Sequence, residues 1–340
     1  MTRPPAYSIV IPTYRRADML AKCLESICAL NYPLDTLEVL IVDNAGEENT
    51  AYIAAPFKSR IHIRYLVNRR NQGYGYSVNR GIVEASGQRV LLLNDDAMPE
   101  PDLFRECDQL LDSDAVIGAV GCRAIETGYE NFGEEIGRID RKGEIIGNFN
   151  LDCGAPIDVD HLYGFCYVFT RQAVERAGLN DRTLLARRYS SGNRIETDHC
   201  LMIRRAGLRV VYNPRMSAIH LAKPRSDMSE VSLAWTRNAI RNTLYLYLKH
   251  YGLFGKRGAA LRLTLLAHVG LLSMVRRPSA ANIAYFINGL RSRVSAYAHY
   301  LLYLSGVVSD RPERLREMLT REERELSRGE ETGQGQGAAV

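Results

Sequence analysis

The chain has 340 residues, 46% hydrophobic and 24% charged, with a formal net charge of +5. Those proportions place it among soluble globular proteins, with room for one large core or for a catalytic unit plus an appendage. No run reaches the roughly 20 apolar residues of a spanning helix, and no long apolar leader precedes the first strand, so neither a membrane span nor a secretory signal is expected.

The first ninety residues alternate strand and helix patterns. Tyr7 to Pro12 reads as a strand, Asp18 to Leu30 as a helix and Leu37 to Val42 as a second strand. Ile61 to Leu66 is a third strand, Ser77 to Ala85 a helix and Arg89 to Leu93 a fourth strand. Strands separated by helices imply parallel pairing with right-handed crossovers, a doubly wound α/β sheet. Gly73-Tyr74-Gly75 lacks the third glycine of a dinucleotide loop and carries little weight. From 116 to 220 the strands shorten: Val116 to Gly121, Gly133 to Ile139, Tyr163 to Phe169, Arg209 to Tyr212 and Met216 to His220 are candidates. Helices are expected at Arg171 to Ala177 and Glu196 to Ala206, then at Val231 to Tyr251, Ala259 to Val275 and Ala280 to Leu304. A charged helix over 310–326 and a disordered tail from Gly329 close the chain.

The seven cysteines are scattered, with no CxxC pair, which fits reduced thiols better than a disulfide framework or a zinc site. Arginine outnumbers lysine 38 to 6, in keeping with a GC-rich bacterial genome.

The most informative run is Leu91-Leu92-Leu93-Asn94-Asp95-Asp96, a buried strand ending in acids and an amide. Ligands of open α/β sheets sit at the carboxyl ends of strands, and adjacent carboxylates there suit Mg²⁺ or Mn²⁺. Read alone, the same residues also fit a turn that caps the next helix. Further polar positions fall at or after apolar runs: Asp43, Asn71 and Gly73, Glu196-Thr197-Asp198, and His220. Glu196 and Asp198 open an amphipathic helix whose dipole favours acids, so they too have a structural reading. The joint set is what a metal-assisted transfer site needs.

In order and spacing these residues resemble family 2 glycosyltransferases, inverting enzymes of the GT-A fold that use nucleotide-sugars. The resemblance spans roughly residues 6 to 250. Tyr7-Ser8-Ile9-Val10-Ile11-Pro12-Thr13-Tyr14 is similar to the family's first strand and nucleotide-contacting turn, implying donor contacts at Pro12, Thr13, Tyr14 and Arg16. Asp43 matches an aspartate that contacts the base, and Asn71, Gly73 and Asn79 fall in the stretch beside the donor diphosphate and sugar. Asn94-Asp95-Asp96 matches the metal motif, with Asp96 as principal ligand, His220 as its partner, and Asn94 and Asp95 beside the donor. Glu196-Thr197-Asp198 resembles the catalytic acidic motif, implying Glu196 or Asp198 as general base. Two departures are visible: Asn94 stands where aspartate is usual, and Glu196 where aspartate is commoner. The resemblance implies a UDP- or dTDP-linked sugar donor, a divalent Mg²⁺ or Mn²⁺ cofactor, and a hydroxyl acceptor that is a glycan, a lipid-linked sugar or a small metabolite. A binding scaffold without chemistry and a sugar-1-phosphate nucleotidyltransferase are the rival readings; the glycine-rich triphosphate loop of the latter is missing.

The expected organisation is a GT-A catalytic unit over 1–230, with a nucleotide half to about 115 and an acceptor half from 116. A basic helical region over 231–306 and a charged tail over 307–340 follow. Residues 231–309 hold ten Lys or Arg and no Asp or Glu, so the remainder sums to −5. Such a segment points to an anionic partner. It reads either as helices lying on an anionic membrane or as a subdomain or dimer interface that packs its own leucines. The packing reading is favoured, because no segment looks apolar on one side only. A cytoplasmic location is expected, with peripheral membrane contact under the other reading. Nucleic-acid binding is not expected, because no recognised module accompanies the basic residues.

Overall fold

The computed structural model describes residues 4–44, 48–126, 133–140, 143–181, 184, 194–221, 233–253, 275, 279–306, 316–317 and 320. Its centre is a nine-stranded mixed sheet. The parallel part is β3 (His62–Val67), β2 (Leu37–Asp43), β1 (Tyr7–Thr13) and β4 (Arg89–Leu93), side by side in that order. β10 (Cys166–Thr170) then runs antiparallel to β4 and to β6 (Ile117–Ile125). β11 (Arg209–His220) lies parallel to β6, and β5 (Ala97–Pro99) and β9 (Ile157–Asp158) pair antiparallel with β11. A separate two-stranded ribbon joins β7 (Arg138–Ile139) and β8 (Ile145–Ile146).

Every residue of β1 and β2 is buried, as continuous apolar runs demand when helices cover both faces of a parallel sheet. Alternation along the strands divides two cores. Ile9, Ile11, Val39, Ile41, Leu91 and Leu93 face α1 (Ala17–Cys28) and α4 (Leu103–Ser113), which contribute Leu20, Leu24, Phe104 and Cys107. On the other face, Val10, Leu40, Val42, Val90 and Leu92 meet α3 (Tyr74–Glu84), α5 (Arg171–Ala177) and α6 (Ile195–Arg205) through Val78, Ile82, Val174 and Ile203. α2 (Glu48–Ala54) follows β2. Gly81 lets α3 approach β1: a Cβ there would meet Val10 Cγ1 at 2.2 Å.

The expected strands Arg209 to Tyr212 and Met216 to His220 are one strand, β11, whose register against β6 shifts between Asn213 and Ser217. Within the expected strand Gly133 to Ile139, only Arg138–Ile139 pairs. β5 was too short for any periodicity to show. The described cysteines are all unpaired, and every one except Cys153 is buried.

α7 (Leu233–Tyr251) and α8 (Ala280–Leu304) pack on each other. Leu244, Tyr245, Leu246, Tyr247 and Leu248 are buried in small clusters shared with Ile195 and Leu201 of α6 and Ala296 of α8. The helical extension is therefore seated directly on α6, whose first turn carries Glu196. The expected elements over 259–275, 310–326 and 329–340 lie almost wholly outside the described residues.

Candidate active site

β1 and β4 are parallel neighbours, so their carboxyl ends place Thr13 beside Asn94-Asp95-Asp96. Thr13 Oγ1 donates to Asp95 Oδ2 at 2.8 Å. Beyond β4 the chain turns back into β5, which pairs with the end of β11 so that His220 stands opposite Ala97. That pairing brings His220 Nε2 to 3.6 Å from Asp96 Oδ1. His220 Nδ1 lies 3.2 Å from the Tyr163 hydroxyl and 3.7 Å from a Glu126 carboxylate oxygen. The imidazole also rests against the rings of Tyr163 and Phe165.

Arg16 reaches both acids, with Nη1 3.0 Å from Asp95 Oδ1 and Nη2 2.8 Å from Asp96 Oδ2. Burial acts against charge at each group, and the partners decide the outcome. Asp95 is pushed up to about 6 by burial, against the pull of Arg16 and Thr13. At Asp96 burial is outweighed by His220 and Arg16, which hold the carboxyl at about 2. At His220 burial is outweighed by Asp96 and Glu126, which raise it to about 9. Asp96 Oδ1 is nevertheless buried with no hydrogen-bond partner among the described residues.

Helix α6, which carries Glu196, approaches this cluster through Gly164 and Tyr74. Gly164 lies against Glu196: a Cβ there would come within 3.1 Å of Glu196 Cγ and 3.2 Å of Oε2. The Tyr74 hydroxyl lies 3.0 Å from Asn94 Oδ1 and 3.3 Å from the Gly164 carbonyl. Burial raises the Tyr74 phenol, and the charges of Glu196, Asp96 and Asp95 push it the same way. Burial also raises the Glu196 carboxyl above its ordinary value. Just before α6, Arg194 holds a left-handed backbone (φ 76°) and donates to Thr243 Oγ1 of α7 at 3.3 Å. A non-glycine residue in that region costs roughly 1–2 kcal/mol, so packing must hold it there.

Asp198 is placed elsewhere. Both its oxygens are engaged beneath α7: Lys249 Nζ at 2.9 Å on Oδ2 and His250 Nε2 at 2.6 Å on Oδ1. Lys249 also donates to Asp181 Oδ2 at 2.7 Å, where Tyr245 donates as well. Burial here is outweighed by Lys249 and His250, which hold the Asp198 carboxyl at about 2. A carboxylate so held is a poor proton acceptor, so Glu196 and Asp198 are not interchangeable.

The expected donor residues divide by exposure. Tyr14, Arg16 and Asn71 stand exposed on a rim, and Asn94 is half-buried. Pro12, Thr13, Gly73 and Asp95 are buried and shape the floor. Asp43 is fully buried and accepts the Tyr65 hydroxyl, so direct contact with a base requires its cover to move. The rim loop is organised by Asn44, which donates to Asn71 Oδ1 at 2.8 Å and accepts from Gln72 N at 2.9 Å. Gly73 follows at φ +89° and opens α3. Asn79 is committed to Asn180, donating to its carbonyl at 2.8 Å and accepting from its backbone N–H at 3.0 Å. That side chain ties α3 to the Asn180 segment.

Among the described residues no three His, Cys, Asp or Glu side chains form a ready-made metal cage. Magnesium and manganese sites in nucleotide enzymes commonly rest on one or two carboxylates plus phosphate oxygens and waters. The orphaned Asp96 oxygen, with Asp95 and His220 at hand, fits that kind of partial site.

The sequence model described as Glycosyl transferase family 2 matches residues 8–178, half of the chain. Glycosyltransferase AglE of Haloferax volcanii is 33% identical over 96 residues, which are 28% of this chain and 32% of that protein. The chain thus matches only about a third of AglE's length. In shape, Staphylococcus aureus TarS 1-349, solved in complex with UDP-GlcNAc, aligns at a TM-score of 0.60 and 13% identity over 85% of this chain and 81% of that one. Mannosyltransferase PcManGT of Pyrobaculum calidifontis, in complex with GDP-Man and Mn²⁺, aligns at 0.51 and 15% over 88% of each chain. At such identities the likeness establishes the GT-A fold alone. With the family model spanning the carboxyl ends of β1, β2 and β4, the acidic run at Asp96 and the segment through Gly164, the chain belongs to glycosyl transferase family 2.

Proposed function

We propose that this chain transfers a sugar from a nucleoside diphosphate sugar to an acceptor hydroxyl by direct displacement, inverting the anomeric centre. The observation that carries the reading is the unlike state of two carboxylates whose charges both reach the Tyr74 phenol. Asp96 is held ionised at the strand end, whereas Glu196 is raised by burial and faces Gly164. A base must take up a proton at working pH, so the raised carboxyl is the suitable acceptor. Glu196 removes the acceptor hydroxyl proton as its oxygen attacks the anomeric carbon opposite the departing diphosphate. Arg16 and the rim residues Tyr14 and Asn71 hold the donor, with UDP or dTDP favoured as the nucleotide. Asp198 anchors α6 on α7 and has no direct part.

Asp96, with Asp95 and with His220 once the imidazole has given up its proton, would hold Mg²⁺ or Mn²⁺. Such an ion supplies positive charge at the developing diphosphate oxygens. The donor half runs to about residue 115 and the acceptor half from there to about 230. A second reading, in which Arg16 itself carries the diphosphate without metal, is favoured by its contacts with both acids.

The test is release of nucleoside diphosphate from a panel of sugar nucleotides, with and without chelator, for wild type and Glu196→Gln. Release from one donor, lost in the variant and yielding an inverted product by NMR, supports the proposal. Wild-type turnover by Glu196→Gln removes Glu196 as base. Undiminished turnover in chelator transfers the diphosphate to Arg16.

A further inference from the structure

Helix α8 turns an apolar side outward. Ile287, Leu290, Val294, Tyr297, Leu301 and Leu304 recur at alternating steps of three and four residues, and all six are exposed, Val294 at 72% and Leu301 at 65%. At 1.5 Å per residue this stripe runs about 26 Å along the helix. The opposite side carries Ser292 and Ala296, both buried, with Ala296 packed among Leu244, Tyr245 and Leu248 of α7. A helix covering a core normally shows the reverse arrangement. A contiguous exposed apolar surface of this size marks an interaction site.

The charge of the segment identifies the occupant. Residues 231–309 carry ten Lys or Arg and no Asp or Glu, and exposed Arg291 borders the stripe. A second copy docked stripe on stripe would bring two acid-free segments together with no carboxylate to offset them. A bilayer with anionic headgroups supplies an apolar layer for the stripe and opposite charge for the arginines. Arg291 and Arg293 near mid-helix argue against crossing the bilayer, and no described helix is long and apolar enough to span one.

We propose that α8 is a docking helix that lies on anionic phospholipid with the Ile287-to-Leu304 stripe inserted at the headgroup boundary. α8 packs on α7, and α7 grips α6 through Lys249, His250 and Asp198, two residues beyond Glu196. The lipid-seated helix is thereby tied to the helix that carries the base. Delivery of a lipid-linked acceptor is the use this implies, and that use alone rests on the transferase reading.

The experiment is flotation of the full chain with vesicles of phosphatidylcholine alone or mixed with phosphatidylglycerol. Wild type is compared with the double substitution Val294→Glu/Leu301→Glu. Melting, sizing-column elution and binding of UDP, dTDP and GDP are followed in parallel. The wild type is expected to float with the phosphatidylglycerol vesicles only and to be released by salt. The double variant should lose about tenfold or more in vesicle affinity, with melting and nucleotide binding unchanged. Wild type that stays with neither vesicle, or a variant that floats as well as wild type, overturns the proposal. A variant that splits a dimer, without vesicle binding by wild type, assigns the stripe to a second copy. A variant that melts early, without vesicle binding by wild type, assigns the stripe to the chain's own packing. Salt-sensitive, stripe-dependent flotation without binding of UDP, dTDP or GDP leaves the docking intact and removes the transferase reading.

Discussion

Two acidic clusters in this chain use the same residue types to opposite ends. At the strand ends, Asp95, Asp96 and His220 sit beneath an arginine whose side chain is 42% exposed, and one Asp96 oxygen lacks a hydrogen bond among the described residues. Beneath α7, Asp181 and Asp198 are sealed from solvent, and Lys249 bridges them. The first arrangement keeps an exchangeable cation at a surface; the second closes its charges on each other. An open ion cluster can trade partners with a ligand, whereas a sealed one locks two helices together. Glu196 belongs to neither ion cluster, although it lies only two residues from Asp198.

That contrast can be broken at several points. Asp96→Ala and Glu196→Gln should have the largest effect. General-base loss costs roughly 10²–10⁴-fold in turnover, so Glu196→Gln should fall by about that much with donor binding kept. Asp96→Ala should instead lose donor affinity, as read by titration with the nucleoside diphosphate. Next, Lys249→Met leaves two carboxylates buried without their cation. Breaking a buried pair this way costs about 3–5 kcal/mol, which urea unfolding would register as a lower midpoint. A small change would show that the cluster beneath α7 is not a lock.

Gly164→Ala sharpens the comparison at the base. The new Cβ would crowd Glu196 and shift its carboxylate by a few tenths of an ångström. Turnover should fall about tenfold while KM and melting hold. A rise in KM alone would place Gly164 in substrate binding. The smallest effect is in the pH profile. Because burial raises Glu196, turnover should be lost on the acid side at a pH above the ordinary glutamate value, as the carboxyl takes its proton. An acid limb at or below the ordinary value would contradict the buried-base assignment.

Local pattern made much of this legible. The apolar runs at Tyr7–Thr13, Leu37–Asp43 and Arg89–Leu93 are strands within a residue or so of their expected limits, because burial on both faces leaves no other reading. The acids that follow β4 stand where a parallel strand end puts them. Other features depend on partners remote in sequence. Asp198 looked as catalytic as Glu196 because Lys249 and His250, 51 and 52 residues away, are invisible from the motif. Asn79 meets Asn180 across 101 positions. Tyr74 carried no signal beyond its place after Gly73. For α8, the sequence pattern shows no segment apolar on one side only; the stripe stands out once Ser292 and Ala296 mark the covered side.

Calorimetric titration with UDP, dTDP and GDP, with and without Mn²⁺, on wild type, Asp96→Ala and Glu196→Gln, tests the division of labour directly. The account predicts binding of one diphosphate by wild type and by Glu196→Gln, strengthened by Mn²⁺ and lost in Asp96→Ala. Equal binding by all three proteins, or none by folded wild type, would contradict it.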